Sequence, residues 1–327
     1  MTTVGTTSTL SSSPRRACAV GIAIQPDLLT APATDLALFA QSVHDAGLDH
    51  VSVGDHVSYR GGQGIDGLVA ATALLTAGPE LHVVVGAFQL ALRHPLVAAR
   101  QLATVTSFAP GRLVLAVGAG GDDPREVSNC GVDPRSRGKR LNESLDVLTR
   151  LMRGEVVDHH GAHFDLEQAS IATTAPAPPL VVAGSGEAAI ERAAAYGSGW
   201  LGLLCTPRRY RETRREIVRR TAALGRPAPD WFGLNVWCAS AGQSRQELES
   251  SLGRWFGPAA PRLLHLCGVG EESQIAAWLA DYVAAGATRL SISVPAAEAV
   301  EAVERVARLA ELLAEQVEDA VAHPDSN

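Results

Sequence analysis

Apolar runs of strand length alternate with amphipathic stretches of helix length from one end of the chain to the other. Runs at Cys18 to Gln25, Val51 to Gly54, His82 to Gln89, Arg112 to Gly118, Leu180 to Gly184, Gly199 to Cys205, Trp231 to Cys238 and Arg289 to Val294 read as strands. Helix patterns fall between and after them, at Asp35 to Ala46, Gly67 to Ala77, Pro95 to Phe108, Ser136 to Met152, Glu187 to Tyr196, Pro207 to Leu224, Glu271 to Ala285 and Ala297 to Val317. A further helical stretch, Arg245 to Phe256, follows the seventh strand. Strands that are apolar at nearly every position, rather than at every second one, belong to a parallel sheet covered on both faces. Eight such units in 327 residues fit a closed (β/α)8 barrel better than an open doubly wound sheet. The expected fold is therefore α/β, a single (β/α)8 TIM barrel with insertions over residues 17–320, between a disordered tail at 1–16, rich in Thr, Ser and Gly, and a short tail at 321–327. The insertions are Arg153 to Pro179 and Ala239 to Gly270. Long excursions of this kind serve as lids or oligomer contacts, which keeps a homodimer among the expected assemblies.

Composition narrows the classes. With 46% hydrophobic and 19% charged residues, the chain can bury a sizeable core. The net charge is −7 and the basic residues, all Arg except Lys139, are scattered, so no nucleic-acid partner is expected. No run of about 18 apolar residues is present to span a membrane. Arg15-Arg16 before Ala17 to Ile24 has the outline of a twin-arginine leader, but the apolar stretch is short and β-branched enough to be a first strand. Five widely spaced cysteines without a Cys-x-x-Cys read as reduced, mostly buried thiols, and the chain is expected to be cytoplasmic.

In a barrel the reactive groups sit at the C-terminal ends of the strands. Strand two ends in Gly54-Asp55-His56, a carboxylate beside an imidazole, ahead of a loop with three glycines; it can hold a proton-transfer group or simply cap a turn. Strand four ends in Gly118-Ala119-Gly120-Gly121, where missing side chains let a flat ligand approach the backbone. Strand five ends in Gly184-Ser185-Gly186 and enters a helix at Glu187, which has the form of a phosphate cradle and equally of a Ser N-cap. His159, His160 and His163 lie in a Gly-containing loop without the spacing of a metal site, and no metal is expected. The arginines between Arg208 and Arg220 alternate with Glu212 and Glu216 as a solvated, partly paired helical face.

Taken in order, Ala46 to His56, Leu92 to Thr104, Gly111 to Gly120, Arg137 to Glu143, Gly184 to Gly186 and Gly197 to Trp200 resemble the luciferase-like monooxygenase superfamily, barrel enzymes that use FMN or the deazaflavin coenzyme F420. The resemblance runs from about Val20 to Val317. It implies a non-proline cis peptide at Gly86-Ala87 that backs the ring of the cofactor, with Asp55, Gln89, Ala119 and Gly120 lining the ring. It also implies that Gly184, Ser185, Gly186 and Glu187 receive the phosphate end, and that His56 stands beside the reactive ring as the catalytic residue. Tyr59, Arg60, Phe88, Cys205 and Trp237 would then build the pocket of a small-molecule substrate. The chain departs from the F420-dependent sugar-phosphate dehydrogenases at Gly121, where they carry an acid, and at Arg60, where they carry a tryptophan. The implied activity is F420-dependent hydride transfer to or from a small organic substrate; an FMN-dependent monooxygenase and a non-catalytic flavin-binding protein are the alternatives. The Arg- and Ala-rich composition, which suggests a GC-rich actinobacterial genome, tilts the choice toward F420.

Overall fold

A computed structural model of the protein describes residues 17–24, 32–120, 123–173, 175–240, 243 and 245–322. The expected tail at 1–16, most of the tail at 321–327, the end of the first strand at Gln25 and the departure at Gly121 lie outside the described residues. In chain order the elements are β1 (Ala19–Ala23), α1 (Ala33–Asp45), β2 (Val51–Val53), α2 (Gly67–Ala77), β3 (Val83–Phe88), α3 (Pro95–Phe108), β4 (Leu113–Val117), α4 (Pro124–Asn129), α5 (Arg137–Met152), β5 (Val157–His160), β6 (Asp165–Ala169), β7 (Leu180–Ala183) and α6 (Glu187–Tyr196). They continue with β8 (Gly199–Leu203), α7 (Pro207–Ala223), β9 (Trp231–Ala239), α8 (Arg245–Phe256), α9 (Ala260–Leu263), β10 (Gly268–Val269), α10 (Glu272–Ala284), β11 (Arg289–Ser293) and α11 (Ala299–Ala322).

Parallel pairing runs β1-β2-β3-β4-β7-β8-β9-β11 and returns to β1, which closes the barrel with the eight strands that the apolar runs predicted. Local chemistry sets the helix starts. Proline occupies the first helical turn of α3, α4 and α7, where its missing N–H costs nothing, and His94, Asp123 and Thr206 accept from the next free amides as N-caps. Asp66 caps α2 by accepting from the Leu68 and Val69 amides, both at 3.0 Å. The apolar face of each helix closes over the barrel exterior to form one continuous main core.

The two insertions take different forms. Residues after α5 fold into the antiparallel β5-β6 hairpin, a pairing the sequence did not predict. Glu143 ties its turn to α5 by accepting from His159 Nε2 at 3.0 Å, Phe164 N at 2.8 Å and His163 N at 3.1 Å. His160 pairs with Asp165, so two of the three histidine rings are used within the hairpin and its tie to α5. The second insertion carries α8, α9 and β10 and builds a small core of its own, with Leu248, Leu252, Ala260 and Leu264 against Leu204 and Trp237. The short helix α4 is also new, and α11 continues to Ala322 rather than stopping at Val317. No helix among the described residues is long and apolar enough to cross a membrane.

At the N-terminal end of the barrel, His50 is buried and shares a 2.8 Å hydrogen bond between Nε2 and Ser291 Oγ. Gly21 is what admits it: a Cβ there would stand 2.2 Å from His50 O and 2.6 Å from its ring. Burial, assisted by the charge of Arg289, lowers the His50 pKa to about 3. The five cysteines are unbridged, and burial raises Cys18 and Cys267 to about 12 and Cys205 to about 11, as expected of inert thiols.

Candidate active site

All the rim residues singled out from the sequence follow the C-terminal ends of neighbouring strands: Asp55 and His56 after β2, Gln89 after β3, Ala119 and Gly120 after β4, and Ser185 after β7. The Gly86-Ala87 peptide is cis, as expected, and the β3-β4 register shifts between Gly86 and Phe88. Both residues of that peptide are only half-buried, although their neighbours on β3 are buried, so their backbone borders open space. A Cβ on Gly86 would meet Leu201 at 2.7 Å, with Asn235 Nδ2 at 3.7 Å and Ser52 Oγ at 3.8 Å.

Asp55 is 2% exposed, and its carboxylate is fully engaged inside the protein. Arg93 donates to it from both terminal nitrogens, at 2.7 and 2.8 Å, and the amides of Gln89 and Gly67 donate at 2.7 and 2.8 Å. Burial works against the Arg93 cation, yet Asp55 and Asp66 outweigh it and raise its pKa. Asp55 thus fixes where strands β2 and β3 end, and what it offers a ligand is backbone; its carbonyl already accepts from Gln89 Nε2 at 2.8 Å.

His56 is the rim's titratable side chain with a free edge, its side chain 17% exposed. Its Nδ1 lies 3.0 Å from Oε2 of Glu126, a fully buried carboxylate on α4 that also accepts from the amides of Val57 at 2.7 Å and Ser58 at 3.2 Å. A carboxylate can only accept, so the Nδ1 proton points at Glu126 and Nε2 is left as the nitrogen whose protonation can change. Gln89 Nε2 also lies 3.3 Å from Nδ1, but the Asp55 carbonyl determines which end of that amide is nitrogen, so Gln89 is a neighbour of the ring and not its acceptor. Its Oε1 is buried without a partner among the described residues, beside the left-handed Gly120 at φ 93°.

The sequence reading missed Glu126. The acid does not follow the strand-four glycines directly; it comes a turn later, on a helix too short to announce itself, capped by Asp123. The Arg60 and Arg125 amides hold the Asp123 carboxyl below the usual range, and the Arg60 contact joins the strand-two loop to α4. Trp255, on α8, was also missed. Its ring lies 6.0 Å from the His56 ring, Tyr59 lies 4.4 Å away, and the Tyr59 hydroxyl donates to the Trp255 carbonyl at 2.6 Å. A Cβ on Gly54 would stand 3.0 Å from the same indole. The insertion therefore covers the end of strand two. Arg60 lies over the Tyr59 ring at 5.0 Å and beside Gly257 of that insertion.

The other expected pocket residues divide. Trp237 points up β9 against Phe256, in the insertion's core. Cys205 is half-buried, and its carbonyl accepts from the Tyr282 hydroxyl. Phe88 is a correction: its ring is fully buried in the main core with the Arg93 guanidinium 4.2 Å over it, so it packs behind β3 rather than facing a substrate. Around β7, Ser185, Gly186 and Glu187 are exposed, and the α6 N-terminus has no side-chain cap. The Glu187 carboxylate is drawn to Arg220 at 2.5 Å, while Arg209 donates to the Ser185 carbonyl at 3.3 Å.

These features define a (β/α)8 barrel with a histidine-carboxylate pair and glycine-lined strand ends on its C-terminal rim. The profile of the family described as luciferase-like monooxygenase matches residues 17–261, and the chain belongs to that family. An F420-dependent glucose-6-phosphate dehydrogenase of Beutenbergia cavernae is 29% identical over 204 residues, 60% of this chain; the match spans 59% of that relative's length. Among solved structures, an F420-dependent secondary alcohol dehydrogenase, described as a complex with an F420-acetone adduct, superposes with a TM-score of 0.76 at 18% identity over 90% of this chain and 99% of its own. The monooxygenase RslO1 of Streptomyces bottropensis superposes at 0.70 and 20% identity over 93% and 99%. At these identities the superpositions speak for the fold.

Proposed function

We propose that the protein is an F420-dependent oxidoreductase that moves hydride between the deazaflavin and a small, uncharged organic substrate. The observation that carries the reading is the His56-Glu126 pair, a proton donor or acceptor held in one tautomer beside glycine-lined backbone. The residues present suit a flat cofactor. A Cβ on Gly86 would crowd Leu201 at 2.7 Å and one on Gly120 would crowd Gln89 Oε1 at 2.9 Å, so these positions present backbone alone, and the orphaned Gln89 Oε1 is an acceptor without a donor among the described residues. Gly184, Ser185, Gly186 and the first amides of α6 suit the phosphate end, with Glu187 drawn off by Arg220. When bound, the cofactor supplies the hydride chemistry.

The chain's own part is proton transfer and exclusion of water. Glu126 keeps the proton on His56 Nδ1, so Nε2 is the nitrogen that can take a proton from an alcohol or give one to a carbonyl. Tyr59 and Trp255 flank the ring and suit a carbon skeleton rather than a phosphate. The relative's sugar-phosphate substrate is not carried over, because Arg60, the cation beside this wall, already lies over Tyr59 and against the insertion. The same cover favours the second reading, an FMN-dependent monooxygenase, since that chemistry needs a dry site. Titrating the purified protein with F420 and with FMN, each followed by quenching of cofactor fluorescence, separates the two. Saturable binding of F420 with weaker or no binding of FMN is expected. Preference for FMN favours the second reading, and binding of neither removes both.

A further inference from the structure

Strand β9 crosses the barrel wall at a place where nothing among the described residues answers the Oδ1 of one of its side chains. Asn235 is 8% exposed, and its Oδ1 is buried without a hydrogen-bond partner among the described residues. Leu234 and Val236, on either side, are buried in the main core, so the alternation of the strand sends residue 235 into the barrel. Its register neighbours cannot satisfy it. Leu203 on β8 is apolar, and the Ser291 hydroxyl on β11 is held by His50 at 2.8 Å. β9 and β3 are not adjacent in the sheet, yet the Asn235 amide reaches to 3.7 Å from the position a Gly86 Cβ would take, with Ser52 Oγ 3.8 Å from the same point. Two polar groups from different strands therefore meet at the half-buried backbone of Gly86. Burying a carboxamide without a partner is costly, and such groups are rare in folded chains unless a ligand or water answers them.

We propose that the Asn235 carboxamide, with Ser52 Oγ beside it, is a hydrogen-bonding anchor for the heterocyclic edge of the cofactor, an inference that rests on the cofactor reading above. Flavin and deazaflavin share a pyrimidinedione edge that alternates C=O, N–H and C=O, and a carboxamide offers one donor and one acceptor to such an edge. Because the edge is common to both cofactors, the anchor serves whichever of them binds.

The test compares wild type with Asn235→Leu, which keeps the volume, and Asn235→Ala, which cannot overpack. Dissociation constants for F420 and FMN are read by fluorescence quenching, and the melting temperature of each protein is read without cofactor. The expected result is affinity for the preferred cofactor lowered about 3- to 10-fold in either folded variant, the worth of one hydrogen bond. Cofactor-free Asn235→Leu should melt no lower than wild type, because an unsatisfied polar group has been removed. Unchanged affinity in both variants overturns the inference while leaving the cofactor reading in place. So does a fall in melting temperature that parallels the fall in affinity in both, which would make Asn235 a structural residue. Wild type that binds neither cofactor overturns the cofactor reading, and this inference with it.

Discussion

Strand β2 is flanked by two histidines with opposite fates. His50, before it, is buried at the N-terminal end of the barrel, is bonded to Ser291, and has been pushed by burial to a pKa of about 3. His56, after it, keeps a free edge and is braced by a buried carboxylate from another loop. A few residues of chain thus separate a histidine that packs from one that can act. The buried polar atoms without a partner among the described residues do not sort so cleanly: Gln89 Oε1 and Trp237 Nε1 lie toward the C-terminal end, Asn235 Oδ1 in the wall beside Ser291, and Trp231 Nε1 at the start of β9. In a barrel, stability resides at the bottom and in the wall, and chemistry at the top.

The sharpest way to break this contrast is His56→Ala. Turnover should fall about 10²- to 10⁴-fold, the worth of general acid-base catalysis, while cofactor affinity and melting temperature change little. A joint loss of affinity and turnover would make His56 a binding residue and blur the two ends. Asp55→Asn probes whether the top also holds a structural anchor. It leaves the Arg93 cation with its buried partner neutralised, so chemical denaturation should show about 3 to 5 kcal/mol of lost stability. A loss under 1 kcal/mol would mean that Asp66, 2.9 Å from Arg93, suffices. Ser185→Asp places a like charge at the expected phosphate cradle. Cofactor binding should weaken by about 1 to 3 kcal/mol, and equal affinity would move the phosphate elsewhere on the rim.

The smallest effect belongs to the bottom. His50 is neutral in the fold down to about pH 3 but protonates near pH 6.5 when unfolded, so the unfolded chain binds the extra proton. Its contribution to stability is complete above pH 6.5 and is lost as pH falls from there toward about 3. Melting temperatures across that window should fall less steeply in His50→Gln than in wild type, with turnover per folded molecule unchanged. Parallel pH profiles would show that His50 is not what links the bottom of the barrel to acid.

The barrel was legible because each strand is a local apolar run and several helix starts, those of α2, α3 and α7 among them, carry their own cap or proline. The cis peptide at Gly86-Ala87 followed from family resemblance rather than from any local pattern. What escaped was long-range. Glu126 reaches His56 from another loop, and Trp255 arrives from an insertion whose sequence says only that it is helical. Phe88 was misjudged because a cis peptide precedes it, so simple alternation along β3 no longer tells which way its ring faces. The Asp55 carboxylate looked available until Arg93, a residue of the next loop, closed on it.

The cover over His56 has its own provenance. Trp255 hangs from a segment that leaves the barrel after β9 and rejoins it before α10, is held mainly by its own small core, and touches the rim through the Tyr59 hydroxyl and the bare face of Gly54. The segment is joined to the strands beneath by the β10-β9 pairing and by Leu204, Trp237 and Ala239 in its core, and the chain between those joints is free to vary. Descendants of one barrel could in this way trade substrates by swapping roofs, and a glycine at position 54 would then mark the lineages whose roof brings an indole down onto strand two.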